Sequence, residues 1–123
     1  MQRRRITWHN QFPDVDFPVW IDVAKLDAAW QLDDGYVGPP GSARPGNQPG
    51  KYPRAGKWFE QHLYAYMPVV SPVGDAVSFT DGRHRFAWLR DHEVKALPIV
   101  PDARDVAEMR RRFGTRLRVS RLL

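Results

Sequence analysis

Three basic residues follow a glycine just after a predicted strand, and they are of the types that bind phosphate. Residues 77–79 have the β-branched and aromatic character of a strand, and Gly82, Arg83, His84 and Arg85 come shortly after them. We predict that a helix begins at this turn, so its free backbone N–H groups and its dipole attract an anion. Residues 82–85 therefore predict a phosphate-binding turn.

Each of these four residues has a defined task in such a turn. Gly82 has no side chain, so a phosphate can approach its backbone closely. Arg83 and Arg85 would donate charge-assisted hydrogen bonds to phosphate oxygens. His84 would donate a further bond or move a proton. We take His84 and Asp81, the nearest carboxylate in the sequence, as candidate catalytic residues.

A structural interpretation of the same residues stays open. Arg83 and Arg85 can pair with Asp81 or Asp91, and Asp81 or Thr80 can cap the helix instead of taking part in chemistry. Basic residues in a first turn oppose the helix dipole, which favours acidic side chains there. Such a local conflict is typical of a functional site.

Short strands alternate with helices along the chain. We predict strands at 19–23, 69–70, 76–79 and 97–100, and helices at 54–67, 82–91 and 102–113, with a helical turn at 27–30. This alternation indicates a small α/β or α+β domain.

The segment 35–53 interrupts this pattern, because ten of its nineteen residues are Gly or Pro. Neither a helix nor a strand survives that density of breakers, so we predict a long flexible loop. It acts either as a flap that closes over a ligand or as a disordered insertion. Tyr36 and Tyr52 lie in this segment and are candidates for stacking on a nucleobase.

Length and composition indicate one domain spanning residues 1–123, with a core at about 19–113 and a basic tail at 114–123. The chain has no cysteine, so disulfides and thiolate metal sites are excluded. Its histidines lack the spacing of zinc ligands, and we predict no zinc or other metal site. No apolar run is long enough to span a membrane, and we expect a cytoplasmic protein.

The formal net charge is +5, and much of the excess lies near the C-terminal end. Clustered arginines attract polyanions, including DNA and RNA, in a salt-dependent way. The alternative is a solvated helix face with a frayed tail. The predicted nucleic-acid-binding residues are Arg110, Arg111, Arg112, Arg116 and Arg118.

The turn and its surroundings resemble the signature of the ParB/sulfiredoxin superfamily. In that signature a strand leads into a Gly-x-His-Arg turn, then a helix, then a strand containing Val-Lys-x-x-Pro. Here the turn is 82–85, the helix follows, and residues 94–100 read Val-Lys-Ala-Leu-Pro-Ile-Val. Upstream, 52–54 resembles a Pro-Arg box and 67–70 resembles the family's Gln-Pro-Ile-Val-Val strand.

The resemblance implies a mixed sheet with flanking helices and a nucleotide, ATP or CTP with Mg²⁺, bound at the turn. Carried over by position, Gly82, His84 and Arg85 match phosphate-binding residues, and Arg54 matches the arginine of the Pro-Arg box. Sulfiredoxins need a cysteine where this chain has Arg83, so their chemistry is excluded here.

Three functions follow as alternatives. The first is a small Mg²⁺-dependent NTPase or phosphotransferase that acts through the turn. The second is a nucleic-acid-binding or nuclease-like module of a plasmid or phage system. The third is a non-enzymatic adaptor or inhibitor that binds a protein partner.

Overall fold

The computed structural model describes residues 4–13, 17–40, 42 and 46–122. Its helices are α1 (Val23–Trp30), α2 (Lys51–Gln61), α3 (Arg83–Asp91) and α4 (Val106–Phe113), the last preceded by a 3₁₀ turn at Ala103–Asp105. Its strands are β1 (Arg4–Arg5), β2 (Thr7–His9), β3 (Val19–Asp22), β4 (Tyr64–Tyr66), β5 (Val69–Val73), β6 (Ala76–Asp81), β7 (Ala96–Ile99) and β8 (Arg121–Leu122). Together they confirm the α+β class.

The strands pair in both directions. β5 and β6 form an antiparallel hairpin, and β3 pairs antiparallel with β7. A parallel bridge between Val69 and Val100 connects these two pairs. Near the termini, β2 runs parallel to β4 and β1 runs antiparallel to β8. The hairpin places the end of β6, and therefore the turn into α3, beside Pro68 at the start of β5.

Aromatic side chains form the centre of the core and fix the position of α3. The Trp30 ring on α1 lies 4.5 Å from that of Phe79 on β6 and 5.6 Å from that of Phe86 on α3, measured between centroids. Trp30 and Phe86 are both fully buried. Truncating a buried aromatic residue to Ala typically costs about 3–5 kcal/mol. This contact therefore holds the first turn of α3 rigidly against β6.

The helix that we predicted at 54–67 is displaced. α2 begins at Lys51, after Gly50 in the left-handed conformation (φ 86°), and it ends at Gln61. The residues 64–66 belong to β4 because β2 supplies a parallel partner for them. Helical periodicity could not reveal this, since the pairing joins segments far apart in sequence.

The Gly/Pro-rich segment is folded back on the domain where it is described. We call residues 35–50 the strap. The guanidinium of Arg90 on α3 donates to the carbonyl of Val37 at 2.7 Å and to the hydroxyl of Tyr36 at 3.2 Å. It also contacts Asp27 at 3.0 Å and Asp91 at 2.9 Å. Arg90 therefore connects the strap to α1 and α3.

Both terminal segments extend the buried core beyond the range 19–113. Ile6 and Leu122 are buried in the same cluster as the central residues. The buried hydroxyl of Ser120 accepts from Trp8 Nε1 at 2.9 Å and donates to the carbonyl of Ala96. In the described part of the chain, no helix is long and apolar enough to cross a membrane.

We expect Arg90→Met to lower the free energy of unfolding by about 3 kcal/mol, because it leaves the carboxylates of Asp27 and Asp91 without their buried partner. Urea denaturation measures this loss. Arg104→Met is the matched control, since the Arg104 side chain is 83% exposed and its ion pairs contribute little. Equal losses in the two variants would contradict the central role of Arg90.

Candidate functional site: a cationic cleft at the start of α3

A cleft of about 810 Å³ opens where the start of α3 meets α2 and β4. All five residues predicted to bind phosphate line it, although Arg54 lies some thirty residues before the turn. The cleft also contains Lys51 and the predicted catalytic residue Asp81. The lining residues that are charged or belong to the turn are Lys51, Arg54, Asp81, Gly82, Arg83, His84 and Arg85.

Gly82 is required at the turn for two reasons. It adopts the left-handed conformation at φ 85°, which favours glycine. A Cβ at this position would also lie 3.2 Å from the Cα of Pro68 and 2.9 Å from Nη2 of Arg85. Gly82 itself is the N-cap of α3, with no side-chain cap bond, so the predicted cap at Asp81 or Thr80 is wrong. Both of those residues belong to β6.

Arg85 carries donors that nothing in the described structure satisfies. Its Nε and Nη2 atoms are buried and make no hydrogen bond with the described residues. Nη2 lies 3.6 Å from Asp81 Oδ2, a distance that indicates a loose ion pair. Burial lowers the pKa of Arg85, and the charge of Asp81 acts against this. Buried unsatisfied donors cost stability, and an anion in the cleft would remove that cost.

His84 anchors the strap. Its side chain is buried, and its Nε2 atom accepts a hydrogen bond from the backbone N–H of Gln48 at 3.2 Å. Burial, with smaller effects from Arg83 and Lys51, lowers the pKa of His84 to about 4. The ring is therefore neutral near pH 7, and Nε2 is an acceptor. Catalytic roles for His84 and for Asp81, which is exposed at the end of β6, stay predictions.

An aromatic rim surrounds part of the cleft, and we had not predicted it. We define the rim as His9, Trp58, Tyr64 and Tyr66, all of which line the cleft. Trp58 is 39% exposed because the neighbouring Phe59 takes the buried position on α2. Trp58 Nε1 donates to the carbonyl of Tyr64 at 2.7 Å. This bond holds α2 against β4 and orients the rim.

The two tyrosines that we proposed for base stacking do not reach the cleft. Tyr36 is buried, with its ring 4.8 Å from that of Trp30 between centroids. The Tyr52 hydroxyl donates to Asp91 at 2.8 Å. By helical spacing, Tyr52 lies on the face of α2 opposite to the lining residues Arg54 and Trp58. The strap thus supplies core contacts here, and the stacking prediction for these two residues is wrong.

The C-terminal arginines divide into separate groups. Arg110, Arg116 and Arg118 line a second cleft of about 290 Å³. Arg112 instead donates to Glu108 at 3.0 Å and to the carbonyls of Gly74 and Asp75. Arg111 does not line the second cleft. The predicted nucleic-acid surface is therefore not one continuous group.

Metal ligands do not gather in the described structure. Within residues 4–13, 17–40, 42 and 46–122, no three His, Asp or Glu side chains lie where they could hold a metal ion. The large cleft has one carboxylate among its lining residues, that of Asp81. The lining is thus far better suited to an anionic ligand than to a resident cation.

A family model for the plasmid fertility inhibition factor matches residues 18–114. The chain belongs to this family. A similar solved structure is that of the oncogenic suppression activity protein, a plasmid fertility inhibition factor, as its gold(I) cyanide derivative. The two share 25% sequence identity with a TM-score of 0.63 over 82% of this chain. The alignment covers 58% of the other protein. No curated protein matches this chain.

Membership of the plasmid fertility inhibition factor family corrects the resemblance drawn from the sequence. The assignment to the ParB/sulfiredoxin superfamily, with the nucleotide-binding character taken from it, is wrong, because the matching family and the similar structure are both fertility inhibition factors. The residues that suggested it form a short strand, glycine turn and helix. Such a local pattern suits many anion-binding sites and does not identify one superfamily. The expected link to mobile elements agrees with the family.

We expect the stability of this protein to fall as the pH drops from about 6.5 to about 4. Unfolded histidine takes up a proton near pH 6.5, whereas folded His84 resists protonation until about pH 4. The unfolded state therefore binds more protons in this window, and the loss attributable to His84 reaches up to about 3 kcal/mol.

Urea denaturation at a series of pH values measures this effect. His84→Gln keeps a side-chain amide that can meet the strap but removes the titration, so its stability should vary less between pH 6.5 and 4. His92→Gln, an exposed change at the end of α3, is the control and should keep the wild-type dependence. A wild-type dependence in His84→Gln would contradict the assignment.

Proposed function

We propose that this chain is a plasmid-associated, non-enzymatic inhibitor of conjugative transfer that binds a protein of the transfer process in the cationic cleft. The family supports the process, since a fertility inhibition factor reduces the transfer of a plasmid. The main observation in favour of this site concerns Arg85. Its Nε and Nη2 atoms are buried and have no hydrogen-bond partner among the described residues. A carboxylate or other anionic group of the partner would satisfy them.

The composition of the cleft supports protein binding. Protein interfaces concentrate their binding energy in Trp, Tyr and Arg residues, especially around a desolvated centre. Here the rim residues Trp58, Tyr64 and Tyr66 stand beside Arg85, and each is more than a third exposed. The rim offers apolar area, and the arginines offer charge. An acidic side chain flanked by apolar residues of the partner fits this combination.

Fixed geometry supports the same role. The floor of the cleft belongs to the first turn of α3, which the core contacts of Phe86 hold against β6. A binding surface that does not need to be ordered on association loses less entropy, and its affinity is correspondingly higher. His84 adds to this rigidity because it joins the turn to the strap at Gln48.

We expect Arg85→Met to abolish inhibition without unfolding the protein. Methionine keeps an unbranched side chain but removes the guanidinium, whose Nε and Nη2 atoms make no hydrogen bond with the described residues. The free energy of unfolding should stay within about 1 kcal/mol of the wild type or rise, because an unsatisfied buried charge is lost. A functional residue that does not stabilise the fold is the signature of a binding site.

The measurement is the transfer frequency of a conjugative plasmid from donor cells that express each variant at equal levels. Wild type and the exposed control Arg104→Met should reduce transfer alike, whereas Arg85→Met should relieve the inhibition at least about tenfold, equivalent to about 1.4 kcal/mol of binding. If Arg85→Met is as stable and as inhibitory as the wild type, the cleft is not the binding site.

A phosphate-bearing small molecule at the same turn is the second candidate. The observation that favours it is the left-handed glycine before three basic residues at the start of a nine-residue helix. The phosphate group of such a molecule would lie near Gly82 and Arg85. A thermal-shift comparison of wild type and Arg85→Met, with inorganic phosphate, tests it. A shift in wild type alone favours this candidate, and no shift in either protein removes it.

A further inference from the structure

The second cleft brings three arginines together at the end of α4. The segment after α4 runs beside β3, where Gly114 pairs with Ile21 and the N–H of Thr115 donates to the carbonyl of Trp20 at 3.1 Å. These backbone contacts fix the direction of the following residues. As a result the side chains of Arg116 and Arg118 line the same cleft as Arg110.

The charges of this cleft lack carboxylate partners in the described structure. No Asp or Glu is among its lining residues. Arg110 and Arg116 form no ion pair with any described residue, and Arg118 donates to the carbonyls of Thr115 and Leu117. Like charges gathered in a concave surface raise the local positive potential and attract an anionic ligand.

Helix stabilisation does not account for this arrangement. Basic residues in the last turn of a helix interact favourably with its dipole, and this explains Arg110 on α4. Arg116 and Arg118 lie beyond the end of the helix, so the dipole does not explain them. Arg112 shows the contrasting case, because Glu108 and two backbone carbonyls hold its guanidinium.

Exposed apolar residues neighbour these arginines and the cleft wall in sequence, although they do not line the cleft. Leu117 lies between Arg116 and Arg118 and is 50% exposed, and Phe17 precedes the lining residue Pro18 and is 59% exposed. The cleft wall also includes Trp20. A nucleic-acid backbone would use the charges alone. A peptide that carries acidic residues around an apolar one would use both the charges and the apolar area.

We propose that this second cleft binds an acidic segment of a partner protein, with an apolar side chain of that segment packed against Leu117. The site goes beyond the function proposed above, because the two clefts share no lining residue. Each can therefore fail without the other. The volume of about 290 Å³ suits a few side chains rather than a folded domain.

The test is fluorescence anisotropy with a short labelled peptide of glutamates that carries one central leucine. We expect saturable binding to wild type that weakens with salt. Arg116→Ser with Arg118→Ser should weaken binding at least about tenfold, a change of about 1.4 kcal/mol. The control Lys95→Ser with Arg104→Ser removes the same charge at exposed positions outside both clefts and should stay within about twofold of wild type.

A second variant and a second peptide test the apolar part. Leu117→Ser should weaken binding of the leucine-containing peptide about threefold or more, and an all-glutamate peptide should bind wild type correspondingly more weakly. All five substituted positions, 95, 104, 116, 117 and 118, are exposed, so melting temperatures should match that of wild type. Equal binding of both peptides to wild type and to Leu117→Ser would overturn the proposal, because the cleft would then recognise charge alone.

Three further outcomes would also overturn it. A single-stranded oligonucleotide of equal charge that competes more strongly than the peptide would assign the surface to nucleic acid. Asp14 and Asp16 lie outside the described residues, and their replacement by Asn should leave peptide affinity within about twofold. A gain of more than about tenfold would instead assign the cleft to the chain's own carboxylates. Loss of binding in the control variant, Lys95→Ser with Arg104→Ser, would mean that the peptide is attracted by the overall positive charge of the protein and not by the second cleft.

Discussion

The guanidinium of Arg90 joins α1, the strap and α3 in one hydrogen-bonded network. Asp27 lies on α1, the carbonyl of Val37 lies on the strap, and Asp91 lies beside Arg90 on α3. The Arg90 side chain is only 10% exposed, so these bonds form in a largely desolvated setting. Removing two carboxylates and a guanidinium from water is costly unless each finds its partners. The geometry of this network therefore restricts where α1 and the strap can lie relative to α3.

Because the first turn of α3 lines the cationic cleft, the contacts that position α3 also position the cleft. The strap meets the helix twice, at Arg90 near its end and at His84 in its first turn. His84 must be neutral to accept from Gln48, although Arg83 and Lys51 are close by. The first turn of α3 thus brings an uncharged imidazole and a guanidinium with unsatisfied donors to the same cleft. A rigid scaffold that presents unsatisfied donors is suited to binding rather than to stability.

Sequence reasoning identified what depends on neighbouring residues and missed what depends on distant ones. The strand, glycine turn and helix around Gly82 lie within a few residues, so the local pattern predicted them. Arg54 was included through the family resemblance, and it lines the same cleft. The parallel pairing of β2 with β4, which brings Tyr64 to Trp58, has no local signal. The same holds for Arg90, which bonds to Asp27 across 63 positions in sequence. The superfamily assignment failed because its motif was also purely local.

The distribution of arginine partners separates the residues that stabilise the fold from those that serve another purpose. Arg90 and Arg112 are held by carboxylates and backbone carbonyls, and both connect elements far apart in sequence. Arg85 in one cleft has a loose ion pair with Asp81 and two unsatisfied nitrogens, and Arg110 and Arg116 in the other cleft form no ion pair among the described residues. The folded chain therefore carries part of its net charge of +5 as concentrated, unrelieved repulsion. We expect anionic groups of a partner to relieve that repulsion on binding.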